Sequence, residues 1–131
     1  MAEIIYLTLD HVLEYHQEAL TFGGSEGFRS EHLLASAVFQ PQQSAFGEDA
    51  YPAIADKAAA YCFFIAKNHA FVDGNKRTAA VAMLAFLELN GHFLDASDDD
   101  SATIIESMVS DTIGQDEFFQ WVGRRAKPKK E

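Results

Sequence analysis

Cysteine occurs only once in this chain of 131 residues, and proline only three times. The single cysteine, Cys62, cannot form a disulfide within the chain, so nothing in the sequence indicates an oxidising compartment. No run approaches the roughly 20 apolar residues of a membrane-spanning helix. Residues 1–6 lack the basic start and apolar core of a signal peptide. These absences favour a cytoplasmic protein with no membrane partner.

Cations are scarce as well. Lysine and arginine number 10 against 20 aspartates and glutamates, which gives a formal net charge of −10. A broad nucleic-acid surface needs a basic face to displace counterions from phosphate, so the charge excludes one. Half of the cations lie in residues 124–131, which leaves residues 1–123 with five cations and 19 anions. Three of those five, Lys67, Lys76 and Arg77, lie within eleven residues and mark a candidate site.

The remaining composition is that of a globular protein, with 48% hydrophobic and 23% charged residues. A chain of 131 residues suits one domain, here residues 1–131, and the basic segment 124–131 is expected to form a disordered tail. Glycines at 23, 24 and 27 predict a loop, and two prolines with a glycine in 41–52 predict an irregular one. Apolar spacing predicts helices over about 9–21, 31–39, 53–68, 76–89, 101–113 and 115–126, with Ser30 as the N-cap of the second and Asn90-Gly91 as the left-handed end of the fourth.

Residues 79–87, the body of the predicted helix 76–89, are apolar on all sides, which is typical of the central, buried helix of a domain. We therefore expect an all-α fold, a compact bundle around this helix. Cys62 lies in an apolar run and is expected to be a small buried residue. A nucleophilic role for Cys62 is the alternative.

Residues 69–78, which read His-Ala-Phe-Val-Asp-Gly-Asn-Lys-Arg-Thr, carry the most specific chemistry. A turn precedes the helix start, where the first N–H groups have no intrahelical partners and form an anion site. Lys76 and Arg77 add two cations there. Asp73 would repel a phosphate unless a divalent cation lay between them, and Mg²⁺ beside phosphates needs only one or two carboxylates. A histidine titrates near neutral pH, so His69 suits proton transfer, and together these groups indicate phosphoryl or nucleotidyl transfer.

Each of these residues also has an ordinary explanation. Asp-Gly-Asn is common turn chemistry, a histidine before a turn is often a core residue, and cations at a helix start are often solvated. Lys76 and Arg77 nevertheless oppose the positive end of the helix dipole, which is unfavourable unless an anion binds there. Phe71 is interpreted mainly as a core anchor for the loop.

Residues 69–78 also resemble the active-site loop of the Fic/Doc family, whose pattern is His-x-Phe-x-Asp/Glu-Gly-Asn followed by Gly-Arg or Lys-Arg. The Asn-Lys-Arg-Thr ending is similar to the Doc (death-on-curing) branch, the toxins of toxin–antitoxin pairs. The resemblance covers about residues 6–95 and implies an all-α Fic-type bundle with the active-site loop at the N-terminus of its central helix. Further matches are the Gly-Gly-x-x-Gly of 23–27, Arg29 before Leu33 and Leu34, Asn68, and the Leu-Asn-Gly of 89–91.

The resemblance implies roles for seven residues of the loop, with ATP as co-substrate and Mg²⁺ as cofactor. The implied roles are general base for His69, core anchor for Phe71, Mg²⁺ ligand for Asp73, anion hole for Gly74 and Asn75, and phosphate contacts for Lys76 and Arg77.

Two departures from the Fic pattern match the Doc branch. Lys76 stands where Fic enzymes have glycine, and Ala80 stands where they have a second arginine. They favour a Doc-type kinase that transfers a phosphate from ATP to a Ser/Thr hydroxyl of a protein, implied to be elongation factor Tu, and so inhibits translation. Transfer of AMP to a protein hydroxyl, or a non-catalytic phosphate- or nucleotide-binding module, are the alternatives.

Regulation is implied to come from outside the chain. The inhibitory Ser/Thr-x-x-x-Glu-Gly/Asn helix of many Fic proteins has no match in the sequence, so an antitoxin protein in trans is the expected partner. The segment 41–52 stands where the family has its target-docking flap.

Overall fold

The structure, a computed structural model, describes residues 3–130. Within these residues the chain forms six α-helices and two small two-stranded sheets, which confirms the predicted all-α fold. None of the helices in the described part is long and apolar enough to cross a membrane. The elements in chain order are α1 Leu9–Leu20, α2 Glu31–Phe39, a 3₁₀ turn Gln40–Gln42, β1 Ser44–Ala45, β2 Glu48–Asp49, α3 Ile54–Asn68, α4 Asn75–Leu89, β3 His92–Leu94, α5 Asp98–Val109, α6 Gln115–Arg125 and β4 Ala126–Pro128.

Side-chain caps fix where the helices begin. The Thr8 hydroxyl accepts from the His11 N–H at 3.2 Å, while Nδ1 of His11 accepts from the Thr8 N–H at 3.1 Å, a reciprocal pair that starts α1. Ser30 caps α2 in the same position, as its sequence predicts. Ser97 caps α5 about three residues earlier than expected, so that the acidic run 98–100 forms its first turn, where the helix dipole favours carboxylates.

The core is built on the packing of α3 against α4. Helix α3 also contacts α2, α5 and α6, while α4 also contacts α1, α5 and β3. Leu84 and Leu89 of α4 are partly exposed, so the apolar body of this helix is buried on one side only, and α3 shares the centre of the core with it. The largest fully buried apolar side chains include Tyr61, Phe71, Phe86 and Phe118.

The segment 41–52 is more regular than its sequence indicates. Strands β1 and β2 pair antiparallel across a turn in which Phe46 and Gly47 have φ values of 55° and 79°. The Phe46 side chain is fully exposed at this tip. Lys57 of α3 is fully buried, and its Nζ donates to Oδ2 of Asp49 at 3.0 Å and to the Tyr51 carbonyl. These bonds satisfy the buried ammonium and tie the hairpin to α3.

The expectation of a disordered tail over 124–131 is wrong for the described residues. Two arginines complete α6, and β4 then pairs antiparallel with β3, with Leu94 opposite Ala126 and His92 opposite Pro128. The N–H of Lys129 donates to the Gly91 carbonyl at 2.9 Å, and its ammonium pairs with Glu88. The open edge of β3 supplies backbone partners that composition alone does not reveal. Glu131 lies outside the described residues.

Candidate active site

The loop between α3 and α4 begins and ends with left-handed backbone. His69 follows α3 with φ 51° and ψ 47°, and Gly74 precedes α4 with φ 81°. A residue other than glycine adopts this conformation at a cost, so its neighbours must hold it there. The His69 side chain is exposed and makes no hydrogen bond to the residues that the structure describes, which leaves the imidazole free for an incoming group.

The side chain of Asn75 closes the loop from inside. Its Oδ1 accepts from the Phe71 N–H at 3.0 Å, and its Nδ2 donates to the Phe71 carbonyl at 3.0 Å. Both residues are buried, with Phe71 only 1% exposed. The side-chain amide of Asn75 is therefore fully engaged with the backbone of Phe71. Only the backbone N–H of Asn75, in the first turn of α4, remains for an anion.

The glycine-rich segment after α1 lies against this loop. The Val72 N–H donates to the Gly27 carbonyl at 2.9 Å, and the N–H groups of Arg29 and Ser30 donate to the Ala70 carbonyl at 2.7 and 3.0 Å. The Gly27–Ser30 stretch thus forms a second wall that fixes the loop through its backbone.

A residue that sequence analysis did not assign, His16 of α1, also holds the loop. Its ring is 4% exposed, stacks on Phe71 with a centroid distance of 3.6 Å, and places Nε2 2.8 Å from the Asp73 carbonyl oxygen. The available signal was its position on the buried face of α1 together with Val12 and Ala19, where a histidine needs a polar partner.

Asp73 is exposed and turned toward the glycine-rich segment. Its Oδ1 accepts from the Gly74 N–H at 2.9 Å and its Oδ2 from the Ser25 N–H at 3.2 Å. A Cβ added to Gly24 would lie only 2.9 Å from Oδ2 of Asp73, so this approach requires glycine.

The surroundings of Asp73 fit a magnesium ion that this carboxylate and a bound phosphate would hold together. Each carboxylate oxygen keeps free lone pairs after accepting one N–H. Within residues 3–130 no group of three or more His, Cys, Asp or Glu side chains is placed to hold a metal. A lone carboxylate beside a phosphate cradle is the arrangement that Mg²⁺ uses with nucleotide phosphates.

Two cations flank the start of α4. The guanidinium of Arg77 lies 5.6 Å from the centre of the Phe22 ring, with Nη1 3.5 Å from the Gly23 carbonyl oxygen. The Lys76 ammonium pairs with Oε2 of Glu106 on α5 at 2.5 Å, and both side chains are about half exposed. Neither cation is buried, so both remain available to an anion.

A cleft of about 450 Å³ opens at this helix start. It brings together four of the seven residues that the sequence singled out, while Phe71 and Asn75 lie buried beneath it and His69 lies outside its lining at the other end of the loop. Its lining residues are Phe22, Gly23, Gly24, Asp73, Gly74, Lys76 and Arg77.

Residues 6–87 match the family model described as the Fic/DOC family. The chain belongs to the Fic/DOC family. Over 81 residues it is 49% identical to the Toxin Doc of Mycolicibacterium smegmatis, an alignment that covers 62% of this chain and 62% of that protein. The chain thus matches less than two thirds of the length of that curated relative. The family that the loop 69–78 indicates is confirmed.

A second cavity of this Fic/DOC protein adjoins the first. It measures about 390 Å³, lies between α4 and α5, and shares Lys76 and Arg77 with the cleft. Its walls are mainly apolar, with Asp98 and Glu106 adding carboxylates. An anion bound at the start of α4 would lie among backbone N–H groups, the Asp73 carboxylate and two cations, an arrangement that suits a phosphate chain.

Proposed function

We propose that this Fic/DOC protein is a Doc-type toxin that transfers the γ-phosphate of ATP to a Ser or Thr hydroxyl of a protein, with elongation factor Tu as the expected target, and so inhibits translation. The observation that carries the proposal is the cleft at the start of α4, which Asp73, Lys76 and Arg77 line and where the first N–H groups of the helix have no intrahelical partner. Members of the Fic/DOC family are usually protein-modifying transferases, which agrees with this reading.

The binding of phosphate follows from the charges around the cleft. The N–H groups in the first turn of α4 and the helix dipole favour an anion, and Arg77 can grip two phosphate oxygens through its planar fork. Asp73 would hold Mg²⁺, which neutralises charge on the phosphates when bound. Lys76 adds a point charge after exchanging its partner Glu106 for the ligand.

The transfer itself needs one base. The hydroxyl oxygen of the target bonds to the γ-phosphorus, the bond from that phosphorus to the bridging oxygen breaks, and ADP leaves with the electron pair. The imidazole of His69, which is exposed at the first position of the loop, accepts the hydroxyl proton.

The preference for phosphate over AMP rests on two positions of α4. Lys76 adds a long side chain where the Fic pattern has glycine, and Ala80 leaves no second guanidinium on the next helical turn. A nucleotide then loses one of the clamps that would hold its outer phosphates in the AMP-transfer orientation. AMP transfer is the second candidate on the strength of the shared loop.

The hairpin of β1 and β2 is the proposed docking element for the protein target. It is anchored through Asp49 to the buried Lys57, and it presents the fully exposed Phe46 at its tip. An antitoxin in trans is the proposed inhibitor, in keeping with the relative named Toxin Doc. Co-purification of this chain with the product of a small neighbouring gene, and loss of transfer in that complex, is the matching test.

The function is tested by incubating the purified protein with elongation factor Tu and γ-labelled ATP. We expect label on the translation factor with wild type, and none with His69→Ala or Asp73→Ala. Full transfer by His69→Ala would remove the base assignment. Tight ATP binding without transfer to any protein would instead identify a non-catalytic binding module.

A further inference from the structure

His16 lies outside the loop 69–78, yet it contacts the peptide that joins Asp73 to Gly74, just before α4 begins. The residue is on α1 and almost fully buried, so its polar ring atoms need partners within the protein. Its Nε2 lies 2.8 Å from the Asp73 carbonyl oxygen. Because a carbonyl oxygen only accepts, Nε2 must carry the proton, which holds for one neutral tautomer and for the charged ring alike.

Packing fixes the ring of His16 from two sides. One face stacks on Phe71 at 3.6 Å with an angle of 6° between the planes. Its Cδ2 and Nε2 lie 3.4 and 3.6 Å from the position that a Cβ of Gly74 would occupy, so its edge rests on the backbone at the start of α4. The donor therefore has little freedom, and α1 is locked to the loop.

The hydrogen bond has a consequence on the opposite side of the same peptide. A peptide unit is planar and trans, so its C=O and N–H point in opposite directions. With the Asp73 carbonyl held toward His16, the Gly74 N–H points the other way, where Oδ1 of Asp73 accepts it at 2.9 Å at the edge of the cleft. Rotation of this peptide would turn the N–H away from the cleft.

We propose that His16 is a positioning residue: by holding the Asp73–Gly74 peptide it directs the Gly74 N–H to Oδ1 of Asp73, and so orients that carboxylate at the cleft. The inference rests on the proposed function, in which this carboxylate would hold Mg²⁺ beside the phosphates of ATP. It assigns His16 no proton transfer, since its ring is buried against Phe71 and bonded to the backbone.

Three substitutions of His16 distinguish the effect of its Nε2–H donor from the effect of its ring, which stacks on Phe71. His16→Gln places an amide N–H near the position of the imidazole Nε2 but removes the stacked ring. His16→Phe keeps a ring on Phe71 and removes the donor, and His16→Asn keeps an amide that is too short to reach. His11→Gln is the control, because His11 is also on α1 and bonds only within the helix cap.

The readouts are the shift of the Gly74 amide signal in nuclear magnetic resonance on adding MgATP, the dissociation constant for MgATP, and kcat with KM. For His16→Phe and His16→Asn we expect the Gly74 response to vanish and the dissociation constant to rise roughly tenfold or more. His16→Gln should restore the response, with a dissociation constant within about threefold of wild type, since it retains the donor. His11→Gln should lower the melting temperature without changing the Gly74 response.

A wild-type Gly74 response in His16→Asn, with only a lower melting temperature, would show a merely structural role and overturn the proposal. Absence of any Gly74 response in wild type would overturn it too. If His16→Phe fails to fold, the pair of His16→Gln and His16→Asn decides alone. Because binding and the amide signal do not depend on turnover, a wild type that binds ATP in this way but transfers no label would overturn the kinase function and leave the role of His16 standing.

Discussion

Asn75 and Phe71 form a closed pair in which one side-chain amide satisfies both backbone groups of a buried residue, with two hydrogen bonds of 3.0 Å. The pair connects the first turn of α4 to the middle of the loop. It sets the position of the backbone on which Asp73 and Gly74 are carried. The loop is thus preorganised, because hydrogen bonds within the protein fix its conformation before any ligand binds.

Asn75→Asp should damage both stability and transfer. The substitution replaces the Nδ2 donor with an oxygen that faces the Phe71 carbonyl in a buried place, which should lower the free energy of unfolding by about 2 kcal/mol. Asn90→Asp is the matched control, because Asn90 pairs with both backbone groups of Ile5 at the other end of α4. Denaturant titration should show a loss in both variants, while label transfer should fall only in Asn75→Asp. Equal transfer by the two would contradict the account of the loop.

Gly24→Ala should disturb the proposed Mg²⁺ site. Its Cβ would come within 2.9 Å of Oδ2 of Asp73, so the carboxylate must move or the glycine-rich segment must shift. Gly23→Ala has a similarly strained backbone, with φ 105° against 119°, and its Cβ meets no atom within 4 Å. We expect the Mg²⁺ concentration for half-maximal transfer to rise much more in Gly24→Ala than in Gly23→Ala. A similar rise in both would attribute the effect to backbone strain alone.

Glu106→Gln should strengthen phosphate binding slightly. The Glu106 carboxylate pairs with Lys76 and competes with an anion for that ammonium. Since both side chains are about half exposed, the pair contributes at most about 1 kcal/mol, so the affinity for MgATP should rise no more than a few-fold. Calorimetric titration measures the change. Glu88→Gln is the control: it removes the partner of Lys129, far from the cleft, and should leave the affinity unchanged. Weaker binding of MgATP by Glu106→Gln would contradict this expectation and indicate that Glu106 helps to bind the ligand.

Cys62 should be inert in the folded protein. It is fully buried, and burial raises the pKa of its thiol well above the usual range, so the reactive thiolate is absent at neutral and mildly alkaline pH. Treatment of the native protein with a thiol alkylating agent at pH 8 should leave it unlabelled and active, while the same protein in guanidinium should label quickly. Rapid labelling of the native protein with loss of transfer would support the nucleophilic alternative.

Local sequence patterns predicted most of the fold. The helices, the Ser30 cap and the left-handed Gly91 after α4 follow from spacing and from residues that act within a few positions of their place in the chain. The order of the basic end was not predictable in this way, because β4 depends on the backbone of β3 some 30 residues earlier. Pairing between distant strands leaves no local signature when each strand has only three residues.

The site shows the same division. Residues 69–78 identified the loop and the family, because the residues that mark them are contiguous in sequence. The contacts that hold the loop were missed, since His16 and Gly24 approach Asp73 from positions about 50 residues away. Spacing alone also could not show that the Asn75 amide is used internally or that Lys76 pairs with Glu106.

The central claim, that the cleft moves a single phosphate, is tested most directly with two preparations of ATP labelled at the γ- or at the α-phosphorus. Each is incubated with the wild-type protein, Mg²⁺ and elongation factor Tu, and the His69→Ala variant serves as the blank. The account predicts that the factor acquires label from γ-labelled ATP alone, with ADP as the second product. Label from α-labelled ATP, with release of pyrophosphate, would contradict it and establish AMP transfer.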